Sequence, residues 1–162
     1  MIRQTRLNRR IAFCVLLLCM NLTFIWGNSL LPGSVSGDLS AKVKEWILSI
    51  LPGLSGTAGD GGHHLLRKFA HFTEFCCLGI CLRCLVRLQG KSPVQQLLLP
   101  WGGGVVAAFA DEAIQSFVPD RGPALTDVGI DTLGVTLGVG IISLVFFLKE
   151  NRNKKILEEN EK

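Results

Sequence analysis

Apolar residues in this chain gather into four blocks: Ile11 to Leu31, Phe69 to Leu88, Val94 to Val118 and Thr126 to Leu148. Stretches rich in charge, glycine and proline separate them. A bilayer core about 30 Å thick takes about 20 residues of α-helix at a rise of 1.5 Å each, so every block is long enough to span. Gly90 to Pro93 supplies a short turn between blocks two and three, and Pro119 to Pro123 another between blocks three and four. In the long loop over 32–66, Val43, Trp46, Ile47, Ile50 and Leu51 recur at helical spacing, while Lys42, Lys44 and Glu45 lie elsewhere on the wheel. That pattern predicts a short amphipathic helix over 39–51, lying on the membrane surface or packed on the ends of the other helices. Gly53 to Gly62 is glycine-rich and predicts a flexible, lid-like segment.

The expected fold is therefore all-α. It is a four-helix transmembrane bundle with a short amphipathic surface helix in the first outer loop. The expected organisation is an N-terminus over 1–10, a membrane domain over 11–148 with spans at about 11–31, 69–88, 94–118 and 126–148, and a tail over 149–162. Block one, preceded by Arg3, Arg6, Arg9 and Arg10, resembles a signal peptide, but it is long for one and no A-x-A site follows, so it reads as a retained anchor. Of the 17 Lys and Arg, those of the N-terminus, of the turn at Arg83, Arg87 and Lys91, and of the tail fall on one side. The positive-inside rule then places both termini in the cytoplasm.

Composition adds little that the pattern lacks. The net charge of +4 is modest, Tyr is absent, and no Lys/Arg stripe alternates with stacking aromatics, so nucleic acid is not an expected partner. Cys14 and Cys19 lie in block one, and Cys76, Cys77, Cys81 and Cys84 in block two. None lies in a polar loop, where a disulfide framework would sit, and the Cys81–Cys84 C-x-x-C inside an apolar helix reads as packing. His63 and His64 read as solvated loop residues, and Trp26, Trp46 and Trp101 as interfacial or packing residues.

The chemistry lies in the polar residues inside the apolar blocks. A charge at the bilayer centre costs roughly 2.5–3.5 kcal/mol on insertion scales, so such groups face the bundle interior and have partners. Arg67, His71 and Glu74 stand four and three residues apart on one helix face. Asp111, Glu112 and Gln115 share a face of the third helix, and Asp127 and Asp131 stand four apart on the fourth. With the termini inside, the helical rise puts Glu74, Asp111 and Asp131 at about the same depth, roughly 10 Å from the outer ends of their helices. Inward of them, Gly104 with Ala108, and Gly134 with Gly138, form small-residue stripes that let helices approach closely. The expectation is a tight lower bundle beneath a polar pocket open to the outside. The alternative is an ion-pair network that only locks the helices, for example Arg67 or Arg121 with Asp111 or Asp127.

These residues resemble the VanZ-like family of bacterial membrane proteins. The matching pattern is R-K-x-x-H-x-x-E at Arg67, Lys68, His71 and Glu74, then D-E-x-x-Q-x-F-x-P-x-R from Asp111 to Arg121. It ends with D-x-x-x-[ND]-x-x-G-x-x-x-G from Asp127 to Gly138. The motifs cover residues 67 to 138. Two positions depart from the usual pattern: Phe75 stands where Tyr is frequent, and Asp131 where Asn is usual. The resemblance implies a protein of the bacterial cell envelope, from a family whose name member is linked to resistance to the glycopeptide teicoplanin.

The favoured reading is a binding protein of the bacterial cytoplasmic membrane, without cofactor or metal. Its partner is a membrane lipid, a lipid-linked wall precursor or a glycopeptide, with Arg67, Lys68 and Arg121 meeting an anionic head group. One alternative is an intramembrane hydrolase or transferase using Glu74, Asp111, Glu112 and His71, although no nucleophile elbow, H-E-x-x-H or phosphate loop is present. Another is proton- or ion-coupled transport, which with only four spans calls for a homo-oligomer.

Overall fold

A computed structural model describes residues 2–50, 62–122 and 124–160. The described residues are all-helical: α1 (Ile2–Ser29), α2 (Gly33–Ile50), α3 (Gly62–Leu88), α4 (Pro93–Gln115) and α5 (Leu125–Asn160). All except α2 are long and apolar enough to cross a membrane, in accord with the expected four-span bundle. Most of the glycine-rich segment before Gly62, and Pro123 in the last turn, lie outside the described residues.

Helix bounds differ from the sequence expectation where local chemistry decides them. The start of α4 is fixed by a capping box. Ser92 Oγ accepts from the Gln95 backbone N–H, Gln95 Oε1 accepts from the Ser92 N–H, and Pro93 follows the cap. α4 stops at Gln115 rather than 118, and a tight turn follows, with Val118 N–H on Gln115 O at 3.0 Å and Arg121 N–H on Val118 O at 3.3 Å. α5 continues through the polar tail to Asn160. Its 36 residues make a rod about 54 Å long by the helical rise, well beyond the apolar thickness of a bilayer. α3 begins at Gly62, so Arg67, Lys68 and His71 all stand on regular helix.

The largest interface joins α3 to α5, and α1 and α4 pack onto that pair. Its closeness depends on glycine. A Cβ built on Gly134 would lie 2.4 Å from the Phe72 carbonyl oxygen, and one on Gly138 would lie 2.0 Å from that of Cys76. From the other side, a Cβ on Gly79 would come within 2.5 Å of the Val135 carbonyl oxygen. Gly104 does the same for α4, where a Cβ would meet Val135 Cγ1 at 2.5 Å, and Ala108 is fully buried. Around these contacts Phe75, Leu78, Ala107, Val128, Val135, Val139 and Ile25 make the core. Large apolar residues such as Phe13, Met20, Val106, Leu133 and Phe147 instead face outward. Lipid is as apolar as the core, so such an exterior is stable in a bilayer.

α2 begins at Gly33, earlier than the expected 39, because its first residue docks on the last turn. Gly33 N–H donates to Pro119 O at 3.2 Å, and a Cβ at Gly33 would collide with the Asp120 carbonyl. Asp120 itself adopts a positive φ of 60°. From there α2 packs on α3, with Val43 and Trp46 still substantially exposed.

Candidate functional site

Asp111 on α4 is the fixed point of a polar layer built from four helices. It is fully buried, and both carboxylate oxygens accept strong hydrogen bonds. Ser29 Oγ, at the end of α1, donates to Oδ1 at 2.6 Å, and Gln115 Nε2, one turn along α4, donates to Oδ2 at 2.7 Å. Gln115 Oε1 in turn accepts from Arg67 Nη2 at 3.2 Å. A continuous chain thus runs Arg67 to Gln115 to Asp111 to Ser29, joining α3, α4 and α1. The i, i+4 spacing of Asp111 and Gln115 makes its central link possible.

His71 and Asp131 stand beside this chain. His71 Nδ1 lies 3.8 Å from Asp111 Oδ2 and 4.0 Å from Asp131 Oδ1, too far for hydrogen bonds. Asp131 is 1% exposed, and neither of its oxygens has a hydrogen-bond partner among the described residues. One ligand atom each from His71, Asp111 and Asp131 fall within 4.8 Å of one another, a spacing that can hold a metal ion.

The other acidic residues hold connections. Glu74 Oε1 accepts from Asn28 Nδ2 at 3.1 Å, and Glu112 Oε2 accepts from the Ala124 N–H at 2.8 Å, just before α5. The second oxygen of each is buried and has no hydrogen-bond partner among the described residues. Asp127 pairs with Lys68 at 3.2 Å near the surface. All ten polar residues singled out in the sequence therefore fall in one region. Sequence reasoning missed Asn28 and Ser29. Their signal was two consecutive polar residues at the end of an otherwise apolar span, with partners 46 and 82 positions away.

A cavity of about 280 Å³ opens over this layer, lined by Arg67, Lys68, His71, Gln115, Asp120, Arg121, Asp127 and Asp131. A second, of about 250 Å³, adjoins it between α1, α2 and α3; Arg67, His71 and Arg121 line both. Arg121 reaches in from the α4–α5 turn. Its Nη2 donates to the Asn28 carbonyl at 3.2 Å, while its buried Nε and Nη1 have no partner among the described residues. Burial and the nearby Arg67 cation lower the pKa of its guanidinium from the ordinary value, against the pull of Asp111 and Glu112. A guanidinium with donors left over in a pocket wall suits an anionic group such as a carboxylate or phosphate.

Comparison with curated proteins and with solved structures finds no match. The VanZ/LLP1 family model, however, matches residues 11–147, which take in all four spans and every residue of the polar layer, and the chain belongs to that family.

Proposed function

We propose that this multi-pass membrane protein lies in the bacterial cytoplasmic membrane with both termini in the cytoplasm. Its polar cavity binds an anionic head group at the outer face, that of a membrane lipid, a lipid-linked wall precursor or a glycopeptide. Such binding gives the protein a route to contribute to glycopeptide resistance of the teicoplanin type. The observation that carries the reading is Arg121, whose buried Nε and Nη1 have no partner among the described residues, in the wall of a cavity also lined by Arg67 and Lys68. Arg67 donates to Gln115 and Lys68 pairs with Asp127, whereas Arg121 has only the Asn28 carbonyl among the described residues.

The test is binding of lipid-linked wall precursor to the protein in nanodiscs. Arg121→Gln removes charge-assisted hydrogen bonds worth about 1.5–3 kcal/mol, so affinity should fall roughly ten- to a hundredfold with the fold retained. Unchanged affinity in a folded Arg121→Gln protein rejects the reading. Orientation has its own check: on a cysteine-free background, an impermeant reagent should label Asp38→Cys and not Gln89→Cys in intact cells.

The convergence of His71, Asp111 and Asp131 favours a second reading, an intramembrane hydrolase or transferase in which these residues hold a divalent cation beneath the head group. Stoichiometric metal on the purified protein, lost in His71→Ala, supports it. A metal-free protein that binds precursor normally rejects it.

A further inference from the structure

The end of the bundle that carries both chain termini holds another cavity, of about 590 Å³. α1 contributes Arg9 and Arg10 to it, α3 contributes Arg87, and α5 contributes Lys149, so four cations surround it against the single carboxylate of Glu150. Arg87 is fixed in place by an ion pair with Glu150 and lies over the Phe146 ring at 4.2 Å from its centroid. Arg9, Arg10 and Lys149 have no ion-pair partner among the described residues. Below the cations the wall turns apolar at Phe13, Leu88 and Phe146. Phe13 continues into an exposed apolar flank of α1 at Leu16 and Met20. Eighteen residues of α5 separate Lys149 from Asp131, about 27 Å by the helical rise, so this site is distinct from the polar layer.

Cations scattered on a membrane rim are ordinarily solvated one by one. Here three helices direct four of them at one concavity whose deeper wall is apolar. An anionic phospholipid carries both complements, a phosphate for the cations and acyl chains for the apolar flank. We propose that this cavity binds the phosphate head group of an anionic membrane lipid, with the acyl chains lying along α1. The site does not depend on the head-group reading of the polar layer, and its failure leaves that reading standing.

Native mass spectrometry of the full-length protein in neutral detergent tests the proposal, with dioleoylphosphatidylglycerol, dioleoylphosphatidylcholine and glycerol 1-phosphate as ligands. Phosphatidylglycerol should be retained preferentially. Arg10→Gln/Lys149→Gln should weaken that binding by roughly tenfold or more, since each cation near an anionic lipid contributes about a fivefold factor. Arg10→Lys/Lys149→Arg should keep it. Equal retention of phosphatidylcholine, or full phosphatidylglycerol affinity in the double Gln variant, overturns the proposal. Glycerol 1-phosphate bound as tightly as the lipid also overturns it, because the site then takes free phosphate.

The unmodified protein offers a measurement that no folding defect can obscure. Cys14 and Cys84 line this cavity, whereas Cys19, Cys76, Cys77 and Cys81 do not. At phosphatidylglycerol concentrations ten times the dissociation constant, mass action predicts that alkylation of Cys14 and Cys84 slows about tenfold. The other four cysteines should react at an unchanged rate. The same change, or none, at all six would overturn the site.

Discussion

Asp111 on α4 and Asp131 on α5 face the same imidazole, at 3.8 and 4.0 Å from His71 Nδ1, and both are almost wholly buried. Their surroundings differ. Asp111 accepts from Ser29 and Gln115, which ties α1, α4 and, through Arg67, α3 into one network. Asp131 accepts from no described residue. A buried polar group without a partner costs free energy, so a fold has reason to keep the first carboxylate and none in its own contacts to keep the second. The α4 side of the layer is tied into the bundle by its own hydrogen bonds, while the Asp131 carboxylate on the α5 side has none among the described residues.

What brings Asp131 near His71 is the glycine contact lower in the same interface, and breaking it should have the largest effect. Gly138→Ala places a methyl group against the Cys76 carbonyl, where the contact distance would be 2.0 Å. Backbone cannot yield as a side chain does, so the variant should lose about 3 kcal/mol, at the upper end of overpacking. Thermal unfolding in detergent measures this. An unchanged melting temperature would mean that α3 and α5 do not touch there.

The fold was legible because it rests on a repeating signal. Apolar block length gave the spans, and Gly134 and Gly138 stood at the spacing that close helix packing uses. The convergence of α3, α4 and α5 was legible for the same reason, since residues three and four apart share a face. The contribution of α1 was not. Ser29 reaches Asp111 across 82 positions, and no periodicity links a serine at the end of one span to an aspartate within another. Gly79 was missed because a single glycine has no partner at four-residue spacing, and its contact with the Val135 carbonyl exists only once α5 is placed. The start of α2 was set by docking on Asp120, a tertiary event that the pattern of apolar positions does not encode.

Asp111→Ala comes next in size. It leaves the buried Ser29 hydroxyl without its acceptor, an orphan that costs about 1–3 kcal/mol, and takes one of the two acceptors of the Gln115 amide, which keeps Ser29 Oγ at 3.2 Å. A loss of about 2–3 kcal/mol is expected in the same unfolding assay. A variant as stable as the parent would show that the network joining α1 to α4 holds nothing together.

Asp131→Asn sharpens the contrast from the other side. Asn has nearly the same shape as Asp and removes the charge. Stability should stay within about 1 kcal/mol of the parent, because no hydrogen bond is lost. Any cation held with His71 and Asp111 should be lost. A fall in stability as large as that of Asp111→Ala would erase the distinction between the two sides.

The smallest effect is expected at the mouth, where Lys68 and Asp127 pair at 3.2 Å with about three-tenths of each side chain exposed. Exposed pairs contribute about 0.2–1 kcal/mol, so Lys68→Ala should scarcely move the unfolding transition. If the cavity holds an anionic head group, the same substitution should still weaken binding, and most strongly at low salt, where the field of a surface charge is least screened. Stability and binding would then separate at Lys68, as is expected at Asp131. A stability loss well above 1 kcal/mol with binding untouched would return this part of the layer to a structural clasp between α3 and α5.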